Sequence, residues 1–150
     1  MKIEVSVPEQ RLRLYDGADR LVKEYACSTS RFGIGTLPGS NCTPPGRFRV
    51  GAMIGDGAEA GTIFVGRKPV GLWAGEPSEK DHVLTRILWL EGLEAANANT
   101  WGRYIYIHGT NQEDRIGTPA SHGCVRLRNA DVIDLYQRVS VGTPVVIRTE

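Results

Sequence analysis

Apolar and polar residues alternate with a period of two through much of the chain. Ile3, Val5 and Val7 alternate with polar neighbours, the pattern of a half-buried strand. Pro8-Glu9-Gln10 reads as a turn, and Leu12 and Leu14 alternate with polar residues, so the two segments predict a hairpin. Asp16-Gly17 opens a second turn, and residues 20–27 return as a third strand. Three short strands in succession point to an antiparallel sheet. Further strands are predicted at residues 46–52, with Phe48 and Val50 on one face, and at 62–66. Residues 83–90 are apolar apart from Thr85 and Arg86, which predicts a central strand buried on both faces. Residues 103–108 alternate again. Ile105 and Ile107 share one face; Tyr104, Tyr106 and His108 share the other.

Helical spacing is convincing once. Val132, Ile133, Leu135, Tyr136 and Val139 form a core-facing stripe, with Asn129 as the expected N-cap and Asp131 in the first turn. Gly142-Thr143-Pro144 ends that helix, and residues 145–148 predict a last strand. The pattern is a mostly β fold with one main helix, and residues 1–150 read as a single domain with neither repeat nor linker.

Two loops stand out. Residues 28–46 are dense in Gly, Pro, Ser and Thr, and a loop of that length is uncommon unless functional, so it is expected on the substrate side. Residues 75–81 are expected to be an exposed loop, with His82 at its edge as a solvated or capping residue.

A net charge of +1 gives no broad pull toward nucleic acid. No apolar run approaches the roughly 18 residues of a membrane span. The N-terminal residues lack the apolar core of a signal peptide, so the sequence reads as that of a cytoplasmic protein. The three cysteines, Cys27, Cys42 and Cys124, form no C-x-x-C pair, which argues against a disulfide framework or a zinc ribbon. Cys27, at a strand end, reads as core, and Cys42 as an incidental small residue in its loop.

The chemistry concentrates in one stretch. The strand at 103–108 ends on His108-Gly109-Thr110, and Ser121-His122-Gly123-Cys124-Val125-Arg126 follows within one loop's reach. A thiol becomes a strong nucleophile as a thiolate, and a nearby imidazole is the usual means of producing one. Cys124 is the candidate nucleophile. His108, arriving from a separate strand, is preferred as base over His122, which is left to position the loop or the substrate. Glu113, Asp114, Asp131 or the Gly109 carbonyl are candidates to orient the base. The N–H groups of Gly123 and Cys124 outline an oxyanion hole. Arg126 has the planar fork that binds carboxylates. A zinc site built from His82, His108, His122 and Cys124 has suitable ligand types but lacks their usual local pairing.

These residues resemble the L,D-transpeptidase catalytic domain of the YkuD type, and its ErfK/YbiS-like branch in particular. The resemblance rests on His108, on Ser121-His122-Gly123-Cys124 with Arg126 two places on, on Tyr104-Ile105-Tyr106-Ile107-His108-Gly109-Thr110, and on Gly117-Thr118-Pro119-Ala120. Ser28-Thr29-Ser30-Arg31-Phe32-Gly33 and Thr43-Pro44-Pro45-Gly46 extend it to residues 2–148. It implies a sandwich-like mixed sheet with a helix near the nucleophile; neither a cofactor nor a metal is expected. Peptidoglycan stem peptides or muropeptide precursors are the implied partners. The cysteine would attack the carbonyl of the third, diamino-acid residue and expel the terminal D-alanine. His108 carries over as base and Gly109 as the carbonyl that orients it, with Ser121 and Arg126 on the substrate side. Carbapenems would acylate Cys124. With no export signal in view, the expected activity is an L,D-carboxypeptidase acting on cytoplasmic precursors or recycled muropeptides. A crosslinking transpeptidase is the alternative, and a non-catalytic muropeptide-binding domain a remote one.

Overall fold

The computed structural model describes every residue except Pro77. The alternating segments form strands β1 (Lys2–Ser6), β2 (Arg11–Tyr15), β3 (Leu21–Ala26), β4 (Gly46–Ile54) and β5 (Thr62–Val65). They are followed by β6 (Lys68–Leu72), β7 (Val83–Gly92), β8 (Tyr106–Gly109) and β9 (Val125–Leu127). Helix α1 (Asn129–Arg138) and strand β10 (Pro144–Arg148) complete the chain. The strand order is β3-β2-β1-β10-β4-β7-β5-β6, with β8 paired to β7 and β9 paired to β8. Most neighbours are antiparallel; β1–β10 and β8–β9 are parallel, so the sheet is mixed.

The expected antiparallel start is present. β2 pairs with both β1 and β3, and Leu12 and Leu14 are fully buried on one face. β7 is the predicted central strand. Leu84, Ile87, Leu88 and Leu90 are buried, and the strand gives one edge to β4 and β5 and the other to β8. Its register shifts between Leu84 and Ile87, where Thr85 takes a positive φ of 78°. Arg86 is buried at this bulge, and its Nη1 donates to the carbonyls of Ala58 and Thr85.

The largest apolar cluster joins Ile3, Val5, Phe48, Val50 and Leu88 to Ile107, Val125, Val132 and Leu135. It therefore lies between the sheet and α1 and fixes the backs of β8 and β9. A smaller cluster of Phe64, Ile87 and Tyr106 packs against Cys124 itself.

Some element limits differ from the sequence reading. The strand expected at 103–108 begins only at Tyr106, because Tyr104 closes a 3-10 turn in the left-handed region, at φ 57°. Tyr104 therefore leaves the face of Tyr106 and His108 and stands half exposed against Trp89, ring centroids 5.9 Å apart. Arg128 rather than Asn129 is the residue before the first helical turn. Asn129 is drawn one place inward by tertiary bonds: its Oδ1 accepts from Thr85 and its Nδ2 donates to the Thr110 carbonyl. Strand β6 carries no buried residue and contains Pro69 and Gly71, so the alternation rule had nothing to detect.

Candidate active site

Strands β8 and β9 run parallel with Ile107 beside Val125, His108 beside Arg126 and Gly109 beside Leu127. Cys124 lies two residues before Arg126, so its side chain emerges on the same face as the His108 imidazole. Both side chains line one cleft of about 320 Å³, together with Asp81, Val83 and His122.

His108 is buried, and its Nδ1 lies 2.5 Å from the Gly109 carbonyl oxygen. A carbonyl can only accept, so Nδ1 carries the proton and Nε2 is left with a lone pair. The expected carbonyl thus orients the ring. The nearby carboxylate Glu113 is instead occupied by the N–H of Asn129, 2.7 Å away. Burial pushes the His108 pKa below its ordinary value, against the opposing pulls of Asp81 and the Gly109 hydrogen bond. The imidazole is therefore neutral at neutral pH, the state a base requires. A side chain at Gly109 would collide with Asn129 Oδ1 and the Leu84 carbonyl, so only glycine lets the strand pass here.

The resting thiol differs from the sequence expectation. Burial pushes Cys124 up to about 12, outweighing the Tyr106 N–H that donates to its sulfur. Sγ lies 3.3 Å from that N–H and 3.5 Å from the Tyr104 carbonyl, which accepts the S–H. Cys124 therefore rests as a thiol in the same cleft as a neutral imidazole.

The turn between the two strands is built by Ser121. Its Oγ donates to the Cys124 carbonyl at 2.6 Å and accepts from the Gly123 N–H at 3.2 Å. Ser121 is wholly buried, so it shapes the nucleophile turn rather than offering its hydroxyl to solvent. The Gly123 N–H, expected at an oxyanion, is committed to that hydroxyl. Gly123 has a φ of 123°, and an added Cβ would meet the Cys42 carbonyl and Ile105 Cδ1 at 3.3 Å. Glycine is what this turn permits.

The 28–46 segment is stitched to this turn. Ser28 and Arg126 exchange backbone hydrogen bonds of 2.9 Å, and Thr29 accepts from the Ala120 and Ser121 N–H groups. Thr43 Oγ1 donates to the Gly123 carbonyl and accepts from the Ser30 N–H. Arg103 holds the loop from the far side, with Nη2 2.7 Å from the Cys42 carbonyl and Nη1 3.3 Å from that of Gly35. A second, smaller cleft of about 190 Å³ lies between this loop and Arg103, and His122 lines it as well. Cys27 is fully buried, as expected of a core residue.

Arg126 has no exposed surface. Its Nη1 lies 2.8 Å from Gln112 Oε1 and 3.0 Å from Asp81 Oδ1, and its Nη2 3.3 Å from Ser28 Oγ. The fork expected to meet a substrate carboxylate therefore holds protein groups. Asp81 is the residue the sequence reading missed. Residues 75–81 looked like plain loop, yet Asp81 turns back onto Arg126 and places its other oxygen 3.7 Å from His122 Nδ1. The Asp81 Oδ1 and Arg126 pair is close but poorly aligned, for Oδ1 and Arg126 Nε each lack a hydrogen-bond partner among the described residues. No signal in the sequence links positions 81 and 126. His122 is half exposed at the mouth, 5.8 Å from the Phe32 ring. His82 sits at the same loop, its N–H bonded to Asn111 Oδ1. Among the described residues no cluster of three or more His, Cys, Asp or Glu is placed to hold a metal.

A mixed sheet thus presents a cysteine and a carbonyl-oriented histidine in one cleft, the residue types a cysteine acyl-transfer domain requires. The L,D-transpeptidase catalytic domain family, YkuD, matches residues 1–147, and the chain belongs to that family. YkuD of Bacillus licheniformis is 31% identical over 146 residues, 97% of this chain and 64% of that protein. A Mycobacterium smegmatis L,D-transpeptidase structure matches with a TM-score of 0.62 at 18% identity, over 98% of this chain and 58% of that one. L,D-transpeptidase 3 from Mycobacterium tuberculosis, in complex with a faropenem-derived adduct, matches with a TM-score of 0.58 at 19% identity, over 99% and 59%. The chain thus spans somewhat under two thirds of the length of these proteins.

Proposed function

We propose that the protein is an L,D-carboxypeptidase that trims the terminal D-alanine from peptidoglycan stem tetrapeptides through a thioester on Cys124. The observation that carries the reading is the shared cleft of Cys124 and a neutral, Nδ1-protonated His108. Cys124 Sγ turns from the Tyr104 carbonyl toward His108 Nε2 and gives up its proton as sulfur attacks the carbonyl of the third residue. The S–C bond forms as the C–N bond to D-alanine breaks, and the imidazolium returns the proton to the departing amine. Water, deprotonated by His108, then cleaves the thioester and regenerates the thiol.

Transfer to an amine of a second stem shares the first half of this path and makes a crosslink. Hydrolysis asks only that water reach the thioester, and His122 at the cleft mouth is half exposed. A cytoplasmic setting, with soluble precursors as substrate, belongs to the same proposal. No helix among the described residues is long and apolar enough to cross a membrane.

The test is mass spectrometry of products from a disaccharide-tetrapeptide and, separately, a nucleotide-linked tetrapeptide. Loss of one alanine residue supports hydrolysis. Dimers in place of the shortened peptide would establish transpeptidation instead. If neither substrate changes while Cys124 stays free, the acyl-transfer reading fails.

A further inference from the structure

The stem tetrapeptide carries carboxylates, and Arg126, the expected receiver, is sealed off. Two arginines act on the sulfur directly, and a third, Arg67, reaches the tyrosines that hold it. Arg126 is buried and paired with Asp81. Arg103 has both terminal nitrogens on loop carbonyls. Arg67 is different. Among the described residues it has no carboxylate within ion-pair distance, and it remains part-exposed.

Arg67 is nonetheless held in place. It follows Gly66 in the β5–β6 turn, and both take left-handed backbone angles, φ 56° and 67°, which turn the chain tightly there. Its guanidinium carbon lies 4.6 Å from the Trp89 ring centre and 5.2 Å from that of Tyr104. Trp89 is backed in turn by Trp101, stacked at 3.7 Å. Nη1 donates to the Tyr106 hydroxyl at 3.2 Å. Stacking on aromatic faces spares a guanidinium much of its rotamer freedom while leaving its other N–H groups free to donate.

The anchoring residues are the ones that hold the nucleophile. Tyr106 gives its hydroxyl to Arg67 and its backbone N–H to Cys124 Sγ. Tyr104 gives its ring to Arg67 and its carbonyl to Cys124. The cation is therefore linked to the sulfur through one residue, by a hydrogen bond at each end of Tyr106. A donor peptide attacked at the sulfur carries its carboxylates one residue, about 3.3–3.6 Å, or one side chain beyond the reacting carbonyl, on the scale needed to bridge toward that guanidinium.

We infer that Arg67 is the site that receives a carboxylate of the donor stem peptide, its fork pre-organised by Trp89, Tyr104 and Tyr106. The reading rests on the proposed donor chemistry. Two sources fit: the α-carboxylate of the terminal D-alanine, and the side-chain carboxylate of a diaminopimelate third residue.

Binding separates this inference from turnover. Calorimetry on Cys124→Ala protein, with and without Arg67→Met, would use three peptides: the tetrapeptide acid, its C-terminal amide, and the acid with lysine in place of diaminopimelate. A charge-assisted bidentate contact predicts that R67M weakens binding of the acid about ten- to hundredfold. The penalty vanishes for the amide if the terminal carboxylate is the ligand, and for the lysine peptide if the side-chain carboxylate is. Arg67→Lys, which keeps charge but loses the fork, falls between. Equal penalties on all three peptides would make Arg67 a structural prop and overturn the inference. So would unchanged affinity in R67M, or a failure of the C124A protein to bind any of the three. Product analysis of the unmodified enzyme on the same peptides reports separately on the acyl-transfer reading.

Discussion

The guanidinium of Arg126 lies 3.0 Å from the carboxylate of Asp81, and neither group is free to leave. Arg126 has no exposed surface, and the Asp81 side chain only 16%. Removing one partner strands the other charge out of water, which costs about 3–5 kcal/mol in comparable buried pairs. Arg126→Met is expected to lower the melting temperature by roughly 6–20 °C for a chain of this size. Asp81→Asn keeps the shape and removes the charge. It should destabilise less, yet shift the pH profile of acylation, because Asp81 acts on both His108 and Cys124. Calorimetric melting and a pH series of acylation rates check both outcomes. Wild-type melting in R126M would mean that the pair contributes nothing to the fold.

His108 and His122 should separate cleanly on mutation. His108→Ala removes the base and is expected to slow single-turnover acylation about 10²–10⁴-fold. His122→Ala, at the half-exposed mouth, should cost far less. Because burial lowers the His108 pKa, the acid limb of kcat/KM should fall below the usual histidine value of about 6.5. The same shift carries a stability consequence. Between the lowered folded value and about 6.5 the unfolded chain binds more protons, so stability rises with pH across that window. An acid limb at or above 6.5 that survives H108A would assign the base elsewhere.

The thiol is raised, not lowered, by its surroundings. Alkylation of Cys124 by iodoacetamide should still be climbing at pH 10, where a free cysteine of pKa about 8.5 has levelled off. A substrate-like acylating agent avoids this penalty because His108 takes the proton during attack. Imipenem should therefore add its mass to wild-type protein at neutral pH and leave Cys124→Ala unmodified. A plateau of alkylation near pH 8 would show a thiolate formed in advance.

Gly123→Ala tests the nucleophile turn. The left-handed backbone and the contacts at 3.3 Å predict a cost of about 1–3 kcal/mol together with a fall in acylation rate. Urea unfolding and single-turnover assays measure the two effects. Full activity would mean that the turn relaxes without moving the sulfur.

Much of this was written in local pattern. Period-two alternation located β1, β2 and β4, which bury one face, and a near-continuous apolar run located the central β7, buried on both. His108 and Cys124 were legible as candidates because acyl transfer needs those residue types, and the parallel pairing of β8 with β9 puts the two on one face. What the sequence could not disclose depends on distant contacts. Asp81 meets Arg126 across 45 positions, and Arg67 reaches Tyr106 across 39. The burial of Arg126, the raised thiol and the part-exposed Arg67 all follow from how the loops close over the sheet. Solvent exclusion, which sets both charge pairing and pKa, is a property of that packing. The sequence by itself determined most of the strands and the candidate reacting residues. The tertiary structure alone decided which arginine is spent inside the protein and which is left for a ligand.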